Sequence, residues 1–413
     1  MSERLLHPFP GLRPAPGAAE DVAAPPYDVV SFDEAAAMAD GRPWSFLHVS
    51  RPEIDLPPGT DSHADEVYAK GATNLAAMIE AGVLIRDEAP CYYVYRIVMG
   101  DHVQTGLVAA TPVDAYLKNI VRKHEFTRPD KEDDRVRQID EVDAQTGPVL
   151  VVHQPRPAIA DILKDITALD PTYDVTQPDG VRHIIWAVTA TVDVQRVADA
   201  YAPVDVLYIA DGHHRSAAAA RVAALREGRG GGSNAHERFL IVAFPTDELH
   251  ILDYNRVIKD LNGLSEDAFL ARVGEVFDLS PVTAPARPAS QHDFGMYLGG
   301  TWYALATKRA PGPDAPPLER LDVKLLSDRL LDPVLGIADP RTDPRIDFVG
   351  GIRGLEALEA RVDSGDWAVA FALFPTSIED LMAVADANEV MPPKSTWFEP
   401  KLADGLVSYP LDV

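Results

Sequence analysis

Apolar and polar positions along the chain change period repeatedly, and each change marks an expected element. Val67, Leu75, Met78 and Ile79 share one face of a helix over 65–82 that ends on glycine. CYYVYRIVMG and DHVQTGLVAATPV mass aromatic and β-branched residues on either side of Gly100-Asp101, which predicts a β-hairpin. Strands are expected at 148–153, 183–188 and 206–210, and helices at 115–121, 161–169 and 192–202. SAAAARVAALREG is a strong helix former that stops at the glycine-rich break GRGGGSN. FLIVAFP and LHILDYNRVI read as a second hairpin or strand pair. Further on come an amphipathic helix in DLNGLSEDAFLARVGEVFDL, a linker-like PVTAPARPAS, the strand pair FGMYLGG and TWYALATKR, and the loop PGPDAPP. A helix over 318–331, a strand at 367–373 and a helix in SIEDLMAVADANEV complete the series. The first 60 residues are proline-rich and read as ordered loop and short strand, with one helix at 32–40. Strands and helices mix without a βαβ rhythm, so the expected class is α+β with mixed sheets. The length of 413 residues suggests two regions, placed at 1–265 and 266–413.

Composition narrows the function classes. With 46% hydrophobic and 25% charged residues, the chain is expected to fold as a globular protein. No apolar run approaches the roughly 18–20 residues of a membrane span, and the first residues lack a secretion signal, so a cytoplasmic protein without a membrane partner is expected. Cys91 is the single cysteine, which excludes an intramolecular disulfide. A net charge of −26 disfavours nucleic acid as a partner, while one lined pocket can still hold a small anion.

The densest chemistry lies in YIADGHHRSAAAA. A short strand there runs into a helix expected to begin near Ser216, which places Asp211, Gly212, His213, His214 and Arg215 on the connecting turn. Such a junction suits an anion, because the first amides of a helix lack partners and the dipole favours negative charge. Gly212 would let the backbone approach a ligand, and Arg215 would add a planar fork for phosphate or carboxylate. The histidines can donate, shuttle protons or bind metal, although consecutive histidines usually diverge. Asp211 could orient one of them or hold magnesium. The plainer alternative makes Asp211 a helix cap, His213 a core residue and Arg215 a surface one.

A second cluster, KHEFTRPDKEDDR, gathers Lys123, Arg128 and other basic residues in an acidic chain, with Pro129 expected to halt a helix begun at Lys118. It reads either as a solvated face or as a loop closing over phosphates with Glu125 as general base. Tyr27 and Asp28 sit on the stiff APPYDVV loop, and Asn255 and Arg256 follow a strand. Phosphate loops, dinucleotide fingerprints, kinase motifs, HExxH and GxSxG are all missing from the sequence.

Together PFPGLRP, APPYDVV, SFLHVSRPEIDLP, QTGLVA, KHEFTRPDKEDDR, AQTGP, YIADGHHR, FPTDEL, ILDYNRVIKDLNG and MPPKSTWFEPK resemble the bacterial DUF1015 family over essentially the whole chain. Within that resemblance, DGHHR is similar to the motif of the ParB/sulfiredoxin-like superfamily, which includes kinases of free serine. The resemblance implies a ParB/sulfiredoxin-like α+β core with an additional C-terminal α+β region. It also implies phosphoryl transfer from ATP or ADP, with Mg2+, to the hydroxyl of free L-serine. Gly212, His213, His214 and Arg215 would then hold nucleotide phosphates with help from Lys123 and Arg128, while Asp211 and His214 act at the reacting centre. Asp211 would place the magnesium ion, and Glu125, preferred over Glu20, would be the base. Tyr27, Asp28, Asn255 and Arg256 would contact the amino acid, Asp28 at its ammonium and Arg256 at its carboxylate. Expected partners are a small hydroxy amino acid, a nucleotide and a second copy of the chain in a homodimer. A reverse phosphotransferase or phosphoserine phosphatase, and a non-catalytic ligand-binding or ParB-like regulatory protein, are the alternatives.

Overall fold

The structure, a computed structural model, describes residues 4–228 and 234–411. Most of the GRGGGSN break therefore lies outside the described residues. The chain divides into two units, Met1–Leu249 with Pro400–Val413, and His250–Glu399. This division falls earlier than the boundary expected after residue 265, and it returns the end of the chain to the first unit.

The first unit is built on one mixed sheet of eight strands. They are β1 (Tyr92–Met99), β2 (His102–Pro112), β3 (Val121–Arg122) and β4 (Val149–His153), then β5 (Tyr173–Thr176), β6 (Arg182–Val188), β7 (Leu207–Asp211) and β8 (Arg238–Pro245). Their spatial order is β3-β7-β4-β8-β2-β1-β6-β5. β1 and β2 form the expected hairpin across Gly100-Asp101. β7 is parallel to β3 and antiparallel to β4, and β4 is parallel to β8. Central strands such as VLVVH of β4 are buried along their whole length, which explains their unbroken apolar runs.

Five helices matter for the site and its support: α1 (Asp65–Glu80), α2 (Pro129–Val142), α3 (Pro157–Thr167), α4 (Thr191–Tyr201) and α5 (His213–Arg226). One core cluster joins Val94, Leu107, Val151, Ile184, Ile209 and Ile241 of the sheet to Ile162 of α3, Val197 of α4 and Ala219 of α5. Each large apolar side chain in it stabilises the fold by about 1.5–3 kcal/mol. A second cluster packs Leu12, Val22, Phe46, Leu47 and Val49 against Leu75 and Met78 of α1 and Val142 of α2. The second unit holds a six-stranded antiparallel sheet, including Tyr254–Ile258, Asp293–Leu298, Thr301–Thr307 and Val369–Leu373.

Several sequence expectations are corrected. Pro129 opens α2 instead of halting a helix, because the first helical position needs no N–H. The helix expected at 115–121 is Val113–Leu117. It ends where Asn119 turns to φ 55°, and the chain continues into β3. FLIVAFP and LHILDYNRVI are not a pair: β8 joins β2 and β4, while Tyr254–Ile258 joins the second sheet. The helix expected at 318–331 breaks into a 3-10 turn, the α-helix Asp322–Leu326 and a π turn.

Candidate functional site

The DGHHR stretch occupies the step from β7 into α5. Asp211 ends the strand, and Gly212 is the N-cap in the left-handed region at φ 98°. The helix begins at His213, three residues earlier than expected, so His213, His214 and Arg215 form its first turn. No side chain caps this start, which leaves its amides available to an anion.

Arg215 is buried, and its guanidinium donates to the Pro148 carbonyl and lies 3.5 Å from Asp211. Two glycines make the space for it. A Cβ on Gly212 would lie 3.1 Å from its Nε and Cζ, and one on Gly147 would lie 3.2 Å from its Cδ. The glycine of DGHHR therefore serves its own arginine, where the sequence reading had it admitting a ligand. Gly147 of the QTGP turn does the same from across the sheet.

Arg215 lines a cleft together with Tyr27, Ser50, Arg135, Gln138, Gln145 and Thr146. The Arg135 guanidinium stacks on the Tyr27 ring at 3.8 Å and pairs with Asp134 at 2.7 Å. Arg135 belongs to KHEFTRPDKEDDR, but on α2 it points to the interior together with Asp134, while Glu132 and Asp133 pair with the neighbouring helix. Arg221 of α5 meets Asp133 at 2.6 Å and Glu132 at 3.3 Å, and Arg226 meets Asp140 at 2.9 Å. That dense charge is thus the seam between two neighbouring helices.

The end of the chain completes the site. Lys401 lies 3.4 Å from Asp211, and Asp404 is buried near Gly147. Ala403 N–H donates to the Tyr95 hydroxyl at 3.1 Å, and Tyr409–Pro410 pairs with Ala144–Gln145, which together hold this segment. Burial pushes the Asp211 carboxyl upward, but Lys401, Arg215 and His213 outweigh it and hold the group far below the usual carboxylate range. Asp404 behaves oppositely. Burial raises it to about 7 against the pull of Arg215, and neither oxygen makes a hydrogen bond of normal geometry.

The two histidines of the motif diverge. His214 is half-buried, and its Nε2 accepts the Arg128 backbone N–H at 3.1 Å. A neutral ring so engaged carries its proton on Nδ1, which makes it a donor. His213 is buried beside His124, with ring centroids 4.5 Å apart, and its Nδ1 lies 3.8 Å from Glu125.

Other expected residues fall elsewhere. Glu125 is drawn to the two imidazoles and is not among the residues lining the cleft. The Lys123 ammonium sits over the Tyr116 ring at 4.2 Å, and burial lowers its pKa. The Arg128 side chain folds onto Asp130 at 2.7 Å. Asn255 and Arg256 are interior residues of the second unit. Asn255 accepts from Leu373 N–H at 3.0 Å, and Arg256 donates to the Tyr254 and Lys394 carbonyls, so neither side chain is offered to a ligand. Asp211 carries two cationic partners on one oxygen, which leaves it a poor magnesium seat by itself. Sequence reasoning had Arg135 only as one of the clustered basic residues of KHEFTRPDKEDDR, and it missed Gln138, Lys401 and Asp404. The available signals were Arg135 falling three, four and seven positions before the buried Gln138, Ile139 and Val142, and Lys401 closing the MPPKSTWFEPK stretch.

A mixed-sheet α+β protein with an arginine-lined cleft at an uncapped helix start is the class that the fold and site define. The chain belongs to the family described as "Protein of unknown function (DUF1015)", which matches residues 6–324. No curated protein matches it. Among solved structures it is similar to a free serine kinase mutant in complex with AMP, at 15% identity and TM-score 0.37, over 73% of this chain and 92% of that one. It is also similar to SbnI with C-terminal truncation from Staphylococcus aureus, at 12% identity and TM-score 0.39, over 74% and 87% of the two chains. Overlap this loose transfers neither residues nor activity.

Proposed function

We propose that this protein is a small-molecule kinase that moves a phosphoryl group from a nucleotide to the hydroxyl of free L-serine. The observation that carries the reading is that Arg215, in the uncapped first turn of α5, is buried beside the anionic Asp211 and shares a cleft with the largely covered Arg135. Phosphoryl transfer requires mainly positioning and charge neutralisation, and these groups can supply both. Arg215 and the first amides of α5 receive the phosphoryl oxygens, and the His214 Nδ1–H adds a donor. Asp211, held ionised, accepts the hydrogen bond of the attacking hydroxyl, and the exposed Asp28, next in sequence to the cleft residue Tyr27, meets the substrate ammonium. Magnesium would come with the nucleotide, held chiefly by phosphate oxygens and water, and would neutralise charge between phosphates.

The test is O-phosphoserine formation from free serine with ATP, ADP or pyrophosphate as donor, in the wild type and in His214→Ala. Turnover with a nucleotide is expected, with a loss of about 100-fold in the variant, the scale of removing one preorganised donor. An unchanged melting curve for the variant would assign that loss to the site. Absence of product with every donor rejects the kinase reading, and full activity in His214→Ala removes the helix start from the chemistry.

A further inference from the structure

His124 and His213 come from different elements, the segment after β3 and the first turn of α5, and meet edge to face at an interplanar angle of 89°. Both rings are buried. Nε2 of His213 and both nitrogens of His124 have no hydrogen-bond partner of normal geometry among the described residues. His124 has only a backbone contact to Ile209 that falls short of normal geometry, and leaving buried polar nitrogens unsatisfied costs about 1–3 kcal/mol each, so the two rings are expected to have a use. Beside them stands Glu125, its side chain 40% exposed and its carboxylate 3.8 Å from His213 Nδ1. One ligand atom from each of the three residues lies within 4.8 Å of the others.

We propose that His124, Glu125 and His213 bind one divalent first-row transition-metal ion through two imidazole nitrogens and one carboxylate oxygen. Zn–N and Zn–O bonds of about 2.0–2.2 Å at tetrahedral angles put ligand atoms roughly 3.4 Å apart, so closing the site from within 4.8 Å needs side-chain movements of about 1 Å. The donor set is specific. Imidazole nitrogens suit Zn2+, Fe2+, Ni2+ and Cu2+, whereas Mg2+ takes oxygen ligands. Metal ligation requires neutral rings, and burial provides them: it lowers His124 to about 4 and His213 well below the ordinary histidine value. Asp211 acts electrostatically on both rings and would favour a cation beside them. The half-exposed carboxylate gives the ion a path from solvent and leaves coordination positions for water or substrate. Glu125 is then a ligand and not the general base.

The probe is Co2+ added to tag-free, chelator-treated full-length protein, followed by calorimetry and by visible absorption. One ion per chain with cobalt d–d bands is expected, displaced by Zn2+ but not by millimolar Mg2+. Glu125→Gln and His213→Gln should each weaken Co2+ binding by roughly 10-fold or more, a loss at least as large as that from removing an outer partner of a metal site. Should buried His213→Gln fail to fold, the half-exposed Glu125→Gln still decides. Failure of the wild type to take up one Co2+, or uptake equally tight in Glu125→Gln, overturns the proposal. None of these readouts involves turnover. Serine phosphorylation without Co2+ uptake would reject this site alone, and Co2+ uptake without phosphorylation would reject the kinase alone.

Discussion

Asp404 shows most directly how a single side chain can report on this site. Its carboxyl is 1% exposed and is raised to about 7 by burial, with Arg215 opposing. A carboxyl whose pKa is higher in the folded state binds its proton more tightly there. Its favourable contribution is therefore complete below the unfolded value of about 3.9 and is lost as pH climbs towards 7. Asp404→Asn, which keeps the shape without the ionisation, should melt close to the wild type at pH 4. It should melt progressively higher than the wild type up to about pH 7, with a constant gap beyond. Thermal denaturation across that range checks this, and a gap that does not change with pH would contradict it. Such a role is not legible in LADGL, where nothing says that the carboxylate ends up under the influence of Arg215 and Arg135 from distant segments.

At the scale of elements, the junction of β7 and α5 is set by Gly212. An alanine there must adopt a left-handed conformation, at about 1–2 kcal/mol, and its methyl would lie 3.1 Å from the Arg215 guanidinium. Gly212→Ala is expected to lower stability by at least that amount and, on the kinase reading proposed above, to weaken nucleotide binding by displacing Arg215, as denaturant melts and calorimetry would show. Helix α2 carries a second lesson. Its charges predict solvation, and Glu132, Asp133 and Asp140 do face outward to Arg221 and Arg226, in pairs that add little individually. Val136, Gln138, Ile139 and Val142 form a narrow buried stripe, and Arg135 enters the cleft beside it. Periodicity identified helices such as α1 to within a residue or two, but it misjudged α2, where one arginine among several in the same run turns inward.

At the scale of the whole molecule, the first unit is not continuous in sequence. Leu402, Ala403, Leu406, Val407, Tyr409 and Leu411 of the returning segment are all buried. At about 1.5–3 kcal/mol for each large side chain, their combined burial rivals the ~5–15 kcal/mol net stability of a typical domain. A chain ending at Glu399 should therefore lose the cooperative unfolding transition of the first unit. Lys401→Ala, by contrast, should keep that transition and lose only the cation beside Asp211. Differential scanning calorimetry separates the two outcomes. No described helix is long and apolar enough to cross a membrane.

Local pattern was enough to determine the α+β class, the Gly100-Asp101 hairpin, the helix over Asp65–Glu80 and the strand-to-helix junction at DGHHR, because period, turn residues and helix ends depend on neighbours a few positions away. Which charged groups face one another was decided only by tertiary structure. Arg135 with Tyr27, Asp211 with Lys401, and His124 with His213 are pairs made by strand order and by a returning chain end, and burial and neighbouring charge together then moved the proton affinities of Arg135, Tyr27, Asp211 and the two histidines in directions that no linear pattern encodes.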